Sequence, residues 1–537
     1  MHMHVQRGLP MAESKNYDAV IIGAGHNGLA TAIHLAKRGW RVAVFETNAE
    51  AGGAVKTRAL TLPDYRHDLC AMNLSMFAGS PFLKEYGEAL GRHGLAFVPA
   101  EDCFASVFDD GTWFGVSKTL NKTIERLNTI NPRDAESWQR MLQQFGDDAP
   151  HIFGLLGNTM PSWAAAKVVW KAWRKMGTAW VLEMLRFLLS SPRPWLDANF
   201  ESPKVKAAMA AWGMHLDFAP DIAGGALFPY LESMTNQAFG MVIGKGGADT
   251  MIKAMTNYLK ELGGELHLAT QVAEILTGRG NAEGIVLSDG QRIMARKAVI
   301  ANVTPAVLFN HLLPNGTGKL WLDTKFKNFR PGPGTMMVHL ALDGPLDWKA
   351  GAALSNFAYV HIAPSYDYMN AAYTQAMDGL LPNAPVLVVG QPIAIDSSRA
   401  PNGKHILWVQ VRVLPKYIKG DAAGKITGKD WGKIKDTYAE RVLDMIETHA
   451  PGAKSKIIGR AVYSPNDLEL ENPCLIGGDN LSGSHHLDQN FLFRPVAGYS
   501  RYKMPMDRLY MCGAATWPGA GTGAGSGYLL GKMLAGA

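Results

Sequence analysis

The segment that most constrains this fold is a glycine-rich loop near the start of the chain, Gly23-Ala-Gly25-His-Asn27-Gly28. An apolar run (19–22) precedes this loop, and a stretch typical of a helix (29–38) follows it. Gly23 permits a tight turn, Gly25 lets the backbone approach a pyrophosphate, and Gly28 permits close packing of helix on strand. The order therefore predicts a dinucleotide-binding fold, with Asn27 among the cofactor-binding residues.

An acid and a glycine pair follow the loop. Glu46 ends the second predicted strand (41–45), about 20 residues beyond the loop, where a carboxylate can accept hydrogen bonds from a ribose. The pair Gly52-Gly53 allows a second close approach of backbone to phosphate. Nicotinamide enzymes have no physical need for this pair, so it favours FAD. An ordinary Gly-Gly turn is the alternative.

A second glycine-rich segment lies near the other end of the chain. A predicted strand at 509–512 leads into Gly513, Gly523 and Gly525, and an apolar stretch (528–534) follows. Backbone N–H groups and the positive end of a helix would suit the pyrimidine side of a reduced flavin. A flexible glycine tail is the alternative, although strand and helix signals flank these glycines.

The first loop and the later stretch 483–495 (GSHHLDQNFLFRP) resemble the FAD-dependent phytoene-desaturase-like flavoproteins of the amine oxidase and carotenoid desaturase group. The likeness is closest to the branch that includes pyridine nucleotide-disulfide oxidoreductase domain-containing protein 2. The resemblance implies FAD, a two-electron oxidation and an adenine contact through the backbone of Val272. Two positions depart from the family pattern: Ala54 replaces an arginine, and Ala514 replaces an acid.

The same resemblance implies an α/β fold. Its parts are a discontinuous, Rossmann-like FAD-binding domain of the glutathione-reductase type and an α+β substrate domain with a mixed sheet and a helical part. Strand patterns at 336–342, 386–390 and 406–414 support the mixed sheet. The predicted boundaries are 17–79, 244–325 and 501–537 for the FAD-binding domain, 80–243 for a mainly helical substrate region and 326–500 for the substrate domain.

Three residues are candidates for the chemistry. His485 could move a proton, although a buried and satisfied histidine is the more frequent case. Tyr230 could polarise a carbonyl or move a proton, or it could simply pack. The resemblance implies that Trp517 shapes the pocket wall near the flavin ring. No metal-ligand spacing appears, so we expect no metal site.

Bulk properties exclude some classes of protein. The chain has 537 residues, a formal net charge of +6 and no basic-aromatic recognition motif, so we do not expect a nucleic-acid binder. Its four cysteines (Cys70, Cys103, Cys474 and Cys512) form no C-x-x-C pair and indicate a reducing, cytoplasmic setting.

Four tryptophans (Trp163, Trp170, Trp173 and Trp180) share an arc of about 100° if 162–189 is one helix. Lysine and arginine fill the neighbouring arc. Such a helix can lie in a bilayer interface with its aromatic side down, which predicts peripheral membrane contact through 162–189. Packing into the substrate domain, a subunit contact in a homo-oligomer, and a lid are the alternatives.

The leading functional hypothesis is a desaturase or dehydrogenase. It would move a hydride from a substrate carbon to flavin N5 and form a C=C bond in a small apolar or alicyclic substrate. An amine oxidase, a flavoprotein isomerase or reductase, and a flavin-bearing interaction protein without turnover are the alternatives. The sequence leaves the electron acceptor open between oxygen and a quinone.

Overall fold

The computed structural model describes residues 16–536. Within this range, two seven-stranded sheets form the framework, and three two-stranded sheets accompany them. The strands are β1 (Asn16–Ile22), β2 (Val42–Phe45), β3 (Thr57–Arg58), β4 (His67–Asp68), β5 (Phe97–Ala100), β6 (Asp102–Val107), β7 (Trp113–Ser117), β8 (Met241–Gly244), β9 (Glu265–His267), β10 (Val272–Gly278), β11 (Asn281–Leu287), β12 (Arg292–Ala301), β13 (Gly334–Leu342), β14 (Tyr359–Ile362), β15 (Leu380–Leu381), β16 (Val386–Gly390), β17 (His405–Leu414), β18 (Gly420–Asp421), β19 (Ile457–Tyr463) and β20 (Leu509–Met511).

Helices cover both large sheets. They are α1 (His26–Lys37), α2 (Ser75–Ala78), α3 (Pro81–Arg92), α4 (Leu120–Ile130), α5 (Pro132–Leu156), α6 (Trp163–Leu189), α7 (Pro192–Asn199), α8 (Pro203–Ala210), α9 (Leu227–Phe239), α10 (Asp249–Glu261), α11 (Pro305–Val307), α12 (Leu320–Lys327), α13 (Tyr366–Met377), α14 (Trp431–His449), α15 (Pro465–Glu471) and α16 (Gly525–Ala535). Among the described residues, no helix is both long and apolar enough to cross a membrane.

The first large sheet has the order β10-β11-β12-β1-β2-β9, and β20 pairs with β12. The pairs β12–β1, β1–β2, β2–β9 and β12–β20 are parallel. Helices α1, α10 and α16 pack on one face of the central strands, so β1 is buried on both sides and reads as one apolar run. Its strands come from three separate stretches of the chain, and the predicted α/β fold class is confirmed.

The second large sheet has the order β19-β13-β17-β16-β14-β6-β7, in which only β14 and β6 are parallel neighbours. One face packs against α14. The opposite face, called here the inner face, packs towards α5, α8 and α9. Because side chains alternate along a strand, Val409 and Val411 of β17 face α14, whereas Trp408, Gln410 and Arg412 lie on the inner face.

Three local predictions need correction. The stretch 80–243 is not only helical, because it supplies β6 and β7 to the second sheet; β6 pairs with the distant β14, a contact that no local pattern announces. Helix α1 begins at His26 rather than at residue 29. Gly177 interrupts α6 with a φ of 85°, so Trp180 does not continue the line of the earlier tryptophans.

A buried ion pair joins three segments of the chain. Arg399 donates to the Asp68 carboxylate at 2.5 Å and to the carbonyl oxygen of Gly244 at 2.7 Å. Asp68 also accepts from the Thr57 hydroxyl (2.6 Å) and from the Ala248 N–H (2.7 Å). Both charged side chains are fully buried, so this cluster fixes the substrate-side segment around Arg399 against the first sheet's domain.

Candidate functional site

The first glycine loop connects β1 to α1. Gly23 has a φ of 95°, and a Cβ at Gly28 would lie 2.4 Å from the carbonyl oxygen of Gly23. No side chain caps the N-terminus of α1. The first-turn N–H groups of this helix are therefore free to bind an anionic group such as a pyrophosphate.

Glu46 stands directly beside this loop. One carboxylate oxygen accepts from the Ala24 N–H at 2.8 Å, and the other accepts from the Asn48 N–H at 3.0 Å. The segment that precedes Val272 runs along the same acid, because Thr270 donates its N–H to the carbonyl oxygen of Glu46 at 2.8 Å. The fold thus brings the predicted ribose and adenine residues together at the ends of β2 and β10.

The glycine pair lies against the first loop. Gly52 donates its N–H to the carbonyl oxygen of Ala24 at 3.0 Å and forms a bridge with Gly25. A Cβ at Gly53 would lie 3.3 Å from the Cα of Gly25, and one at Gly52 would lie 2.3 Å from the carbonyl oxygen of Val55. The pair is therefore a close backbone approach to the loop and not an isolated turn.

The C-terminal glycine segment meets the same loop. Gly527 of α16 donates its N–H to the side-chain oxygen of Asn27 at 3.1 Å, and Thr31 donates to the carbonyl oxygen of Gly527 at 2.9 Å. Ser526 accepts from the N–H of Gly513 at 3.0 Å, which closes the turn after β20. Asn27 thus joins the two glycine segments, a role that the sequence does not indicate.

Asn302, which sequence analysis missed, lies at the centre of this junction. It directly follows β12, and its side-chain NH2 donates to the carbonyl oxygen of Gly23 at 3.2 Å. A Cβ at Gly25 would lie 3.0 Å from this nitrogen, and a Cβ at Gly513 would lie 3.0 Å from the side-chain oxygen. A polar residue at the end of a central parallel strand is the signal that could have revealed it.

The three candidate catalytic residues lie in different surroundings. Tyr230 is buried in the helical layer and donates to Asp148 at 2.8 Å, so its hydroxyl serves a contact between α9 and α5. Trp517 donates to the carbonyl oxygen of Asn158 at 2.9 Å and packs on Phe491. Both side chains are used in contacts between segments.

His485 holds the C-terminal glycine segment. Its Nε2 accepts from the N–H of Ala520 at 3.0 Å, and a Cβ at Gly519 would lie 2.8 Å from the same atom. Burial, and then the charge of Arg494, hold the pKa of His485 well below its usual value. A neutral ring that accepts from the backbone positions this segment, which also carries Gly523 and Gly525.

Next to this segment, the inner face of the second sheet carries several buried polar atoms. Within residues 16–536, four of them have no hydrogen-bond partner: Trp408 Nε1, Gln410 Oε1, Arg412 Nε and His361 Nδ1. Unpaired buried polar groups are rare in folded proteins and indicate space for water or a ligand. The inner face therefore lines a candidate substrate site.

Short contacts connect the inner face to the C-terminal glycine segment. Thr522 donates to the carbonyl oxygen of Asn73 at 3.3 Å, and the Asn73 backbone acts on the pKa of Tyr359, an inner-face residue. The sulfur of Met72 would lie 3.1 Å from a Cβ at Gly390 of β16. The segment containing Met72 and Asn73 thus lies between the second glycine segment and the inner face.

Arg412 is a buried cation that has only neutral partners. It donates to the carbonyl oxygen of His215 at 3.2 Å and to the side-chain oxygen of Asn480 at 3.1 Å. Among the described residues, no carboxylate lies within ion-pair distance of it. Burial lowers the pKa of Arg412 to about 10, so the guanidinium stays charged at neutral pH.

Glu232 of α9 is an acid that sequence analysis also missed. Its side chain is partly buried, and in the described part of the chain its carboxylate has no hydrogen-bond or ion-pair partner. Burial raises the pKa of Glu232 to about 7. Burial raises the pKa of Tyr359, and the charge of Glu232 adds to that shift, so α9 presents this acid towards the inner face.

The fold and the site together define a dinucleotide-binding oxidoreductase. The chain belongs to the family of flavin containing amine oxidoreductases, whose model matches residues 28–529. Its cofactor is FAD, and the glycine cradle with its uncapped helix fits that group. The predicted resemblance is thereby confirmed, whereas the individual cofactor contacts remain predictions.

Relatives of known name cover nearly the whole chain. Pyridine nucleotide-disulfide oxidoreductase domain-containing protein 2 from Rattus norvegicus is 26% identical and covers 96% of this chain and 93% of its own length. A neurosporene-forming phytoene desaturase from Rhodobacter capsulatus is 27% identical (96% and 93%). One of the limonene dehydrogenase polypeptides from Castellaniella defragrans is 25% identical (98% and 95%).

Solved structures share the fold. An oxidoreductase from Methanosarcina mazei superposes with a TM-score of 0.61 at 18% identity, covering 95% of this chain and 98% of that one. A putrescine oxidase variant superposes with a TM-score of 0.59 at 14% identity, covering 97% and 98%. At such identities, the likeness concerns architecture alone.

Proposed function

We propose that this flavoprotein is a dehydrogenase that forms a C=C bond in an alicyclic substrate, next to a carbonyl oxygen. The observation that carries this proposal is the pairing of a buried cation, Arg412, with an unpaired acid, Glu232, at the inner face. Relatives named phytoene desaturase and limonene dehydrogenase add support for chemistry at carbon.

Each group has a distinct task in this mechanism. FAD, when bound, supplies the two-electron acceptor and takes a hydride from the β-carbon of the substrate. Glu232 takes the proton from the α-carbon as a carboxylate, and its pKa of about 7 suits a base at neutral pH. Arg412 stabilises the negative charge that develops on the carbonyl oxygen. One hydride and one proton leave, and a C=C bond remains.

The wall of the site suits such a substrate. Met337, Val388, Tyr359 and Trp408 give the inner face an apolar surface that can hold a hydrocarbon ring and exclude water. The unpaired Nε of Arg412 provides a buried hydrogen-bond donor for one oxygen atom. An apolar body with a single oxygen therefore matches the wall better than a fully hydrocarbon chain.

Amine oxidation is the second candidate, because the family carries that name. A substrate ammonium group would approach the fixed positive charge of Arg412, which no carboxylate within ion-pair distance neutralises in the described chain. Coulomb repulsion in a low-dielectric site disfavours that arrangement. The site thus favours an oxygen-bearing substrate over a cationic amine.

Anaerobic reduction of the holoprotein tests this proposal. The purified yellow protein is mixed with a saturated cyclic ketone, a monocyclic terpene hydrocarbon or a primary amine, and the flavin absorbance is followed. We expect bleaching with the ketone and a product that has lost two hydrogen atoms by mass spectrometry. Bleaching by the amine, with none by the ketone, would reject carbon–carbon dehydrogenation in favour of amine oxidation.

A further inference from the structure

Helix α6 presents an apolar surface to solvent. Trp163, Trp170 and Trp173 are 86%, 54% and 46% exposed, so none of them packs into the substrate domain. After the break at Gly177, a row of leucines is equally exposed: Leu182, Leu185 and Leu189. Large apolar side chains gathered on one outward surface mark an interaction site.

The opposite side of α6 holds the helix on the protein. Ala165 and Ala172 are buried, and Val168 packs against Gly154 of α5, where a Cβ would lie 3.2 Å from it. These positions lie about 140–220° around the helix from Trp163, if each residue turns 100°. The three tryptophans therefore point directly away from the body of the protein.

Cations flank the tryptophans. Lys167, Lys171 and Arg174 lie on the same outward arc, and Arg174 stacks over Trp170 at 5.4 Å. In the part of the chain that the structure describes, these three have no carboxylate within ion-pair distance, whereas Lys175 lies 3.8 Å from Asp147. The outward surface thus combines interfacial aromatic rings with unneutralised positive charge.

We propose that the tryptophan face of α6, formed by Trp163, Trp170 and Trp173 with the cations Lys167, Lys171 and Arg174, docks on a lipid bilayer with anionic headgroups. The rings enter the interface between headgroups and acyl chains, and the cations pair with the headgroups. The surface is continuous with the site, because Asn158 and Met160, in the loop before α6, accept hydrogen bonds from Trp517 and Ser500. Docking would thus place lipid beside the catalytic domain.

Flotation in a density gradient tests the proposal without any substrate. The FAD-loaded protein is mixed with vesicles of phosphatidylcholine alone or with added phosphatidylglycerol. We expect the wild-type protein to float with the anionic vesicles and to float less with the neutral ones. Replacing the three tryptophans together by alanine should lower the bound-to-free ratio about tenfold or more. Because these rings are exposed, the variant should retain its yellow colour and its Tm.

A matched control uses another exposed tryptophan. Trp321 is 62% exposed and, like Trp170, has a cation over its ring, Lys325 at 5.1 Å. Trp321→Ala should float like the wild-type protein. Wild-type protein that stays at the bottom with both vesicle types would overturn the proposal. A homodimer in gel filtration that the triple variant dissociates, with no flotation, would overturn it and assign the face to a subunit contact.

Discussion

The N–H of Gly527 donates to the side-chain oxygen of Asn27 across 500 residues of chain, at 3.1 Å. This bond fastens the last helix of the chain to the first. It is possible only because Gly527 lacks a side chain: a Cβ there would lie 1.9 Å from the carbonyl oxygen of Asn27. The cofactor cradle is therefore closed by a helix contact that tolerates no added atom.

Gly527→Ala should push α16 away from α1 and loosen the cradle. We expect loss of most of the bound FAD during purification and a destabilisation of about 1–3 kcal/mol, as for other overpacked sites. Flavin absorbance per protein and urea unfolding measure the two effects. Gly146→Ala is the control, because its Cβ would meet nothing within 4 Å and it lies in a helix, where alanine should be neutral or stabilising. Full FAD content in the Gly527 variant would contradict this view of the cradle.

Glu232→Gln should remove the base. With a cyclic ketone as substrate, we expect anaerobic flavin reduction to slow about 100-fold or more. In the wild-type protein the rate should rise as pH passes about 7, where the acid ionises, and fall near pH 10, where Arg412 loses its charge. The variant should lose the rise near pH 7. Glu136→Gln, at an exposed position of α5, should keep the wild-type profile, and an unchanged rate in the Glu232 variant would exclude this acid as the base.

The same acid should affect stability in the opposite sense. Burial raises the pKa of Glu232 above its unfolded value, so the folded state prefers the protonated form. The penalty for ionising it is absent below about pH 4.5, grows as pH rises towards 7 and is constant above. Glu232→Gln should therefore stabilise the protein at pH 8 relative to pH 5 by roughly 1–3 kcal/mol. Urea unfolding at both values measures this difference, which should be absent for Glu136→Gln.

Arg412→Met should leave the carbonyl oxygen of the substrate without a cation. We expect flavin reduction by a cyclic ketone to fall by a factor of about 100–1,000, as for the loss of other oxyanion donors. Arg412→Lys keeps the charge and should recover part of the rate. Stopped-flow absorbance gives these rates. If the methionine variant instead reacts faster with a primary amine than with the ketone, repulsion by Arg412 is supported while the identity of the native substrate must be revised.

Arg399→Met should uncouple the substrate-side segment from the first domain. Asp68 would remain buried without its partner, which costs about 3–5 kcal/mol in comparable pairs. The free energy of unfolding, measured in urea, should fall by that amount. Arg133→Met removes an exposed pair with Glu201 and should change it by less than about 1 kcal/mol. Replacing Asp68 by Asn together with Arg399 should recover part of the loss.

Much of the cofactor-binding half could be predicted from the sequence, whereas the substrate side could not. Gly23, Gly28 and Gly52 mark backbone conformations or approaches that only glycine permits, and that requirement is visible residue by residue. Strands β6 and β7 were missed because their partners lie far along the chain. Tyr230 was a reasonable candidate until folding placed Asp148 against its hydroxyl.

Local chain properties thus sufficed for the two glycine segments, the apolar central strands and the FAD cofactor, because turn geometry and burial leave short-range patterns in a sequence. Three-dimensional packing alone assigned Asn302 to the junction, turned the tryptophans of α6 outward and set Glu232 and Arg412 at one face. Those assignments depend on which distant groups become neighbours and on how much water folding removes. Neither quantity is encoded in the spacing of residues along a single element.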